Sequence, residues 1–288
     1  MSSRKAGPMQ VVTIKELRRT LDMERRVGRT IGLVPTMGFL HEGHASLMRR
    51  AAEETDVVVA SIFVNPLQFG PTEDLGAYPR DLERDTRIAA ESGVDLLFVP
   101  DVLEMYPQPV VTTVEVGELS DRFDGESRPG HFAGVATVVA KLFNIVGACT
   151  AYFGEKDFQQ LAVVRRMAAD LSWPAKVVGC ATVRDPDGVA LSSRNGYLTP
   201  DERAAAPVVH QALQAGVAAV QSGDRDPASV RARMADVVAE EPLAELDYVA
   251  VVEANSLAVP EALSGDLRLL AAVRLGRARL IDNVGVTA

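Results

Sequence analysis

Cysteine is scarce: the 288 residues hold two, Cys149 and Cys180, with no C-x-x-C spacing. That argues against a disulfide framework or a cysteine-ligated zinc and for buried thiols in a reducing compartment. An excess of positive charge is missing too. Lys and Arg number 30 against 39 Asp and Glu, a formal charge of −9. Such a chain repels a phosphate backbone, so no nucleic-acid partner is expected. Long apolar runs are absent; the best, 57–64, is far short of the roughly 20 residues of a membrane span. The first eight residues are polar and lack the apolar core of a secretory signal, which places the expected location in the cytoplasm. No repeat of 20–50 residues marks a solenoid. One large or two modest globular domains remain.

What is present is alternation. The run 31–34 is short, apolar and ends at Pro35, and 43–54 reads as a helix with Leu47, Met48, Ala51 and Ala52 on one face. The β-branched run 57–64 predicts a strand covered on both sides. A helix over 80–92 and a strand over 95–99 follow. Beyond a less regular stretch at 101–132, 133–146 reads as a largely buried helix, and Tyr152 and Phe153 as a short strand. Leu161, Val164, Met167, Ala168 and Leu171 define another amphipathic helix, and 176–182 a strand. The pattern predicts an α/β fold over residues 1–184: a Rossmann-like parallel sheet with helices on both faces. Near 184 the character changes. Asp185-Pro186-Asp187-Gly188 is a turn, and Thr199-Pro200 caps a helix start. Alanine-rich helices at 201–221 and 227–239 lead to strands at 246–253, 267–274 and 279–283. A smaller C-terminal α+β domain with an antiparallel sheet is therefore expected over 185–288.

Several strand ends carry polar groups suited to an anion. His41-Glu42-Gly43-His44 follows the strand at 31–34 and opens a helix. Its imidazoles lie on one side of a helical turn, beside free N–H groups at a helix N-terminus. The i, i+3 spacing fails the zinc-protease pattern, which needs i, i+4. Gly154-Glu155-Lys156-Asp157 again stands at a strand end running into a helix, where open α/β sheets bind ligands. Lys156 suits a phosphate and Asp157 a ribose, although Asp157 reads equally well as a helix cap. Leu191-Ser192-Ser193-Arg194 offers two hydroxyls and a guanidinium fork on a loop. Asn65 and Gln68 flank Pro66 where the buried strand ends, and Arg128 and His131 precede the buried helix. Ordinary turn chemistry or a simple helix start accounts for these as readily as ligand contact. His210, on an alanine-rich helix, reads as structural.

Taken in order, PTMGFLHEGH (35–44), SIFVNPLQF (61–69), RPGHFAGV (128–135), FGEKDFQQL (153–161) and LSSRNGYL (191–198) resemble the pantoate–β-alanine ligase family. The resemblance runs from about residue 10 to the C-terminus and includes RLIDN (279–283). It implies an AMP-forming ligase using ATP and Mg²⁺, with pantoate and β-alanine as substrates. Pantoate attacks the α-phosphorus of ATP, giving pantoyl adenylate and pyrophosphate; β-alanine then displaces AMP to form pantothenate. The alternative within the wider HxGH group is a nucleotidyltransferase adenylylating another small substrate. By resemblance, the stretch Met37, Gly38, Phe39, Leu40, His41, Glu42, Gly43 and His44 contacts ATP. His41 and His44 neutralise phosphate charge, and His44 matches the proton donor. Gln68 and Gln160 match the pair holding pantoate, and Asn65, Arg128 and His131 complete the substrate site. Gly154, Glu155, Lys156 and Asp157 match nucleotide contacts, Val183 a backbone contact to adenine. Leu191, Ser192, Ser193 and Arg194 match a flexible phosphate loop. Asp85 is the candidate Mg²⁺ ligand, the segment 70–77 a lid over pantoate, and a homodimer through the larger domain is expected.

Overall fold

The computed structural model describes residues 7–70, 75–76 and 78–288, so positions 71–74 and 77 of the expected lid lie outside the described residues. Two compact units form: residues up to 154 together with 163–180, and 155–162 together with 181–288. The second unit thus takes up 155–162, which the strand–helix alternation groups with the first.

The first unit runs β1 (Met9–Val11), α1 (Ile14–Arg26), β2 (Ile31–Thr36), α2 (Glu42–Glu54), β3 (Val57–Ile62), α3 (Leu82–Glu91) and β4 (Leu96–Phe98). The short helices α4 (Val102–Met105) and α5 (Asp124–Ser127) precede α6 (His131–Val146) and β5 (Cys149–Gly154); α7 (Phe158–Asp170) then leads to β6 (Ala175–Cys180). The strands make one parallel sheet in the order β1-β4-β3-β2-β5-β6. From β2 the chain builds outward through β3 and β4, then returns to lay β5 beside β2, pairing Gly32 with Thr150. The order therefore reverses between β2 and β5, and the crevice outside the carboxyl ends of those two strands is where such sheets bind ligands. β3 is buried along 57–61, as its unbroken β-branched run requires. α6 is buried on nearly every side.

β1, α4 and α5 are elements that the sequence pattern above does not include, and other details differ from it. α1 sets Ile14, Leu17 and Leu21 at helical spacing among Lys, Arg and Glu, a signal that the alternation described above omits; Thr13 caps it by accepting the Glu16 N–H. Ala52 lies on the exposed side of α2. Leu171 falls just past the end of α7 and is 52% exposed.

In the second unit, the Asp185–Gly188 turn closes with Gly188 N–H on Asp185 O and a bridge between Arg184 and Ala190. Then come α8 (Pro200–Ala205), α9 (Val208–Gln221), α10 (Pro227–Ala239), β7 (Ala244–Glu253), β8 (Asp266–Leu275) and β9 (Ala278–Thr287). Thr199 and Glu202 make a reciprocal capping box on α8. The single helix expected over 201–221 is divided at Ala206–Pro207, because Pro207 has no N–H to continue the ladder. The antiparallel sheet β7-β8-β9 turns Leu267, Leu269, Ala271, Val273 and Leu275 to one face, and these pack with Leu213, Val220, Val230 and Met234 of α9 and α10. β9 continues to Thr287 past Asn283 and Gly285, which interrupt its apolar pattern.

Candidate active site

The chain leaves β2 through a loop that three interactions shape. Thr36 donates its hydroxyl to Ser61 O (2.6 Å), tying the end of β2 to β3. Gly38 and Phe39 both take left-handed backbone angles, φ 83° and 51°. A side chain on Gly38 would add that strain and put its Cβ 3.0 Å from Asp85 and Ile62. Phe39 is held in its strained geometry by Asp85, whose two carboxylate oxygens accept the N–H groups of Phe39 (2.8 Å) and Leu40 (2.7 Å). Asp85 is 1% exposed and Leu40 is wholly buried. The structure therefore gives Asp85 a different task from the expected one: both oxygens clamp the loop, and its carboxylate does not fit a solvated Mg²⁺, which keeps several waters. Among the described residues, no group of three or more His, Cys, Asp or Glu side chains is arranged to hold a metal.

Beyond the loop, His41 caps α2. Its Nδ1 accepts the Gly43 N–H (3.2 Å), and Nδ1 of His44 accepts the His41 N–H (3.3 Å). The ring centroids are 4.1 Å apart. With both Nδ1 atoms acting as acceptors, the neutral rings carry their protons on Nε2. Two imidazole Nε2–H donors at the N-terminus of a 13-residue helix make an anion-directed pair. Glu42 is exposed and paired with Arg49.

A second cluster gathers where β3 ends. Asn65 is 1% exposed, and its carboxamide is fully engaged. Nδ2 donates to Gln68 Oε1 (3.2 Å) and Gly134 O (3.1 Å), and Oδ1 accepts the Leu67 N–H (3.3 Å) and the Tyr106 hydroxyl (2.9 Å). Burial pushes the Tyr106 hydroxyl up to about 12, so it stays a donor. Asn65 thus holds the turn 66–68 and orients Gln68. Since Asn65 holds Oε1 of Gln68, its NH₂ is the end that can meet a carboxylate or hydroxyl. Gly134 lets α6 approach: a Cβ there would lie 2.2 Å from Leu67 O. His131, at the start of α6, takes the Arg128 Nη1 donor on Nε2 (2.9 Å) and gives its Nδ1–H to Gln68 O (2.9 Å). That pattern needs the neutral ring, and it ties Arg128, His131 and Gln68 into one chain of hydrogen bonds.

In the second unit, 155–157 form a 3-10 turn, with Lys156 Nζ 3.2 Å from Asp157 Oδ1. Glu155 turns its carboxylate to Arg268 (3.0 Å). Gln160 is half-buried on the first turn of α7, next to a buried Gln159. Ser192 accepts the Arg194 N–H (3.2 Å), capping the 3-10 turn 193–197, and the Val183 carbonyl takes the Leu191 N–H (3.0 Å). Lys156, Ser192 and Arg194 line one cavity of about 20 Å³, along with Asn195, His210 and Asp282. Two of the lining residues carry a buried polar atom without a hydrogen-bond partner, His210 Nδ1 and Asn195 Oδ1. His210 is therefore part of the wall behind the lysine. Burial, and then the Arg184 charge, lower its pKa below the usual imidazole value. Arg184 and Arg268 carry no signal in the sequence reading, and Asp282 and Asn283 enter it only within RLIDN, without a role; the bonds that matter here join them to partners about 15 to 128 positions away along the chain.

Comparison with known proteins covers nearly all of the chain. The family profile described as Pantoate-beta-alanine ligase matches residues 9–285. A pantothenate synthetase from Sinorhizobium medicae is 54% identical over 274 residues, 95% of this chain and 94% of that one. One from Heliobacterium modesticaldum is 52% identical over 96% and 98% of the two chains. The crystal structure of pantothenate synthetase from Thermus thermophilus matches with a TM-score of 0.92 at 49% identity, over 97% of this chain and 100% of that one. Pantoate-beta-alanine ligase from Francisella tularensis, solved in complex with beta-gamma ATP and beta-alanine, matches with a TM-score of 0.79 at 33% identity, over 96% and 97%. Sequence identity of this extent, on the same parallel sheet and antiparallel C-terminal sheet, makes the chain a ligase that belongs to the pantoate–β-alanine ligase family.

Proposed function

We propose that this ligase condenses pantoate with β-alanine using ATP, through a pantoyl adenylate, with the residues above in the following roles. In the first step a pantoate carboxylate oxygen attacks the α-phosphorus, the bond to the bridging oxygen breaks, and pyrophosphate leaves. The Nε2–H groups of His41 and His44 meet the charge that develops on the phosphate oxygens, where fixed donors act most strongly. Lys156 supplies a point charge and Arg194 a donor fork for the leaving pyrophosphate, with Ser192 and Ser193 beside it. Asp157 accepts from ribose hydroxyls, and the Val183 backbone faces the base. Gln68 and Gln160 hold pantoate through their amides, and Arg128 acts on Gln68 through His131. In the second step the β-alanine amine attacks the acyl carbon and AMP departs. No covalent enzyme nucleophile is needed, so positioning and electrostatics carry the rate.

Mg²⁺ would enter with the nucleotide and would offset phosphate charge during the transfer; among the described residues no carboxylate cluster would hold it. On the family resemblance, the working enzyme is a cytoplasmic homodimer joined through the larger domain.

The observation that carries this reading is the match of the family profile to residues 9–285, with paired imidazole donors at the end of β2. The test is product analysis. AMP and pantothenate should form in equal amounts, and only with both pantoate and β-alanine present. AMP retained on the product would instead identify a nucleotidyltransferase.

A further inference from the structure

The turn that presents Lys156 is held from β9 by one side chain. Asn283, 3% exposed, donates Nδ2 to the carbonyls of both Glu155 (2.9 Å) and Lys156 (2.8 Å). Those two carbonyls belong to the peptide planes on either side of the Lys156 Cα. Fixing both planes fixes the backbone angles of Lys156, and so the direction in which its side chain leaves the chain. Oδ1 of Asn283 accepts Arg268 Nε (2.6 Å), which settles which end of the carboxamide faces the turn. Arg268 lies 4.1 Å from the Phe158 ring centroid and reaches Glu155 with a second nitrogen (3.0 Å). Behind Asn283, its own N–H goes to Asp282 Oδ1 (2.7 Å) and its carbonyl accepts from Arg184 Nη2 (3.2 Å). Arg184 also pairs with Asp282 (2.9 Å). All of the polar groups of Asn283 are engaged, and two of its bonds serve the backbone at Lys156.

We infer that Asn283 is a positioning residue for the adenylation step, setting the place of the Lys156 ammonium from the C-terminal strand. The inference rests on the phosphate role given to Lys156 above. An asparagine is specified because the position needs one donor end with two hydrogens and one acceptor end. Aspartate has the same shape but no donor, and would turn an oxygen toward two carbonyls.

Asn283→Asp, Lys156→Ala and the double variant are compared with the wild-type enzyme in pantoate-dependent exchange of labelled pyrophosphate into ATP. The second half-reaction is followed separately, from synthetic pantoyl adenylate and β-alanine. Asn283→Asp should lower the exchange rate about 10²-fold, the scale of a catalytic group displaced by about 1 Å. The KM for β-alanine and the rate from pantoyl adenylate should stay within about twofold, a split that general destabilisation would not produce. In the double variant the loss should match Lys156→Ala alone, since one residue acts through the other. Multiplying losses, or equal losses in both half-reactions, would overturn the positioning role. An unchanged exchange rate in Lys156→Ala would overturn the phosphate contact, and the positioning role with it. If Asn283→Asp does not fold, Arg268→Met, which removes the group orienting the carboxamide, should show the same split at smaller size; equal losses there would overturn the inference.

Discussion

The Nδ1 atom of His44 accepts the His41 N–H at 3.3 Å, while the proposed chemistry belongs to Nε2 of the same ring. The two tasks are separable. In His44→Asn the amide oxygen takes the place of Nδ1 and keeps the cap, but nothing replaces Nε2–H. Adenylation should fall about 10²–10³-fold, the usual effect of removing one donor from a developing charge. Thermal unfolding should stay near wild type, whereas His44→Ala should also lose about 1 kcal/mol with the cap. His210 offers a test in pH. Its pKa is lowered in the folded protein by burial, so below about 6.5 the unfolded chain binds a proton that the native chain does not. Stability is then full above 6.5 and declines as pH falls toward the depressed value. His210→Gln should flatten that decline in unfolding temperatures measured between pH 7.5 and 4.5; an unaltered slope would assign the acid sensitivity elsewhere. At this scale the sequence was ambiguous wherever one residue type serves two purposes. Asp85 looked like a metal ligand because a carboxylate is one, but its oxygens are taken up by the Phe39 and Leu40 amides, 46 and 45 positions away.

Among elements, legibility followed burial. β3 and α6 were readable because strands and helices covered on all sides need unbroken apolar sequence. α1 was legible too, in the spacing of Ile14, Leu17 and Leu21 behind the Thr13 cap, although the alternation described above omits it; the α8–α9 break was not, because alanine-rich periodicity continues across Pro207. The approach of α6 to the turn 66–68 is also written in the sequence, as Gly134, but only coordinates reveal it. Gly134→Ala would set a Cβ 2.2 Å from Leu67 O, so the turn must shift and the Asn65–Gly134 bond stretch. A stability loss of about 1–3 kcal/mol in urea unfolding is expected, the range for overpacking. The KM for pantoate should rise with it, since Gln68 is carried on that turn, while ATP affinity is spared; equal losses for both substrates would argue against the role of Gln68.

The whole molecule's logic lies in its strand order. With β2 and β5 adjacent at the reversal, the segments after Thr36 and Gly154 both start from the carboxyl edge of the sheet. Their motifs are local in sequence and so could be read there. The clamps behind them, Arg268 and Asn283 on Glu155 and Lys156, join positions more than 100 residues apart and belong to tertiary packing. On the proposed function, these donors activate pantoate as an acyl adenylate before the amine is engaged. The decisive measurement incubates the enzyme with ATP, labelled pyrophosphate and pantoate, without β-alanine. Label should enter ATP in a pantoate-dependent manner; no exchange until β-alanine is added would contradict a separate adenylation step.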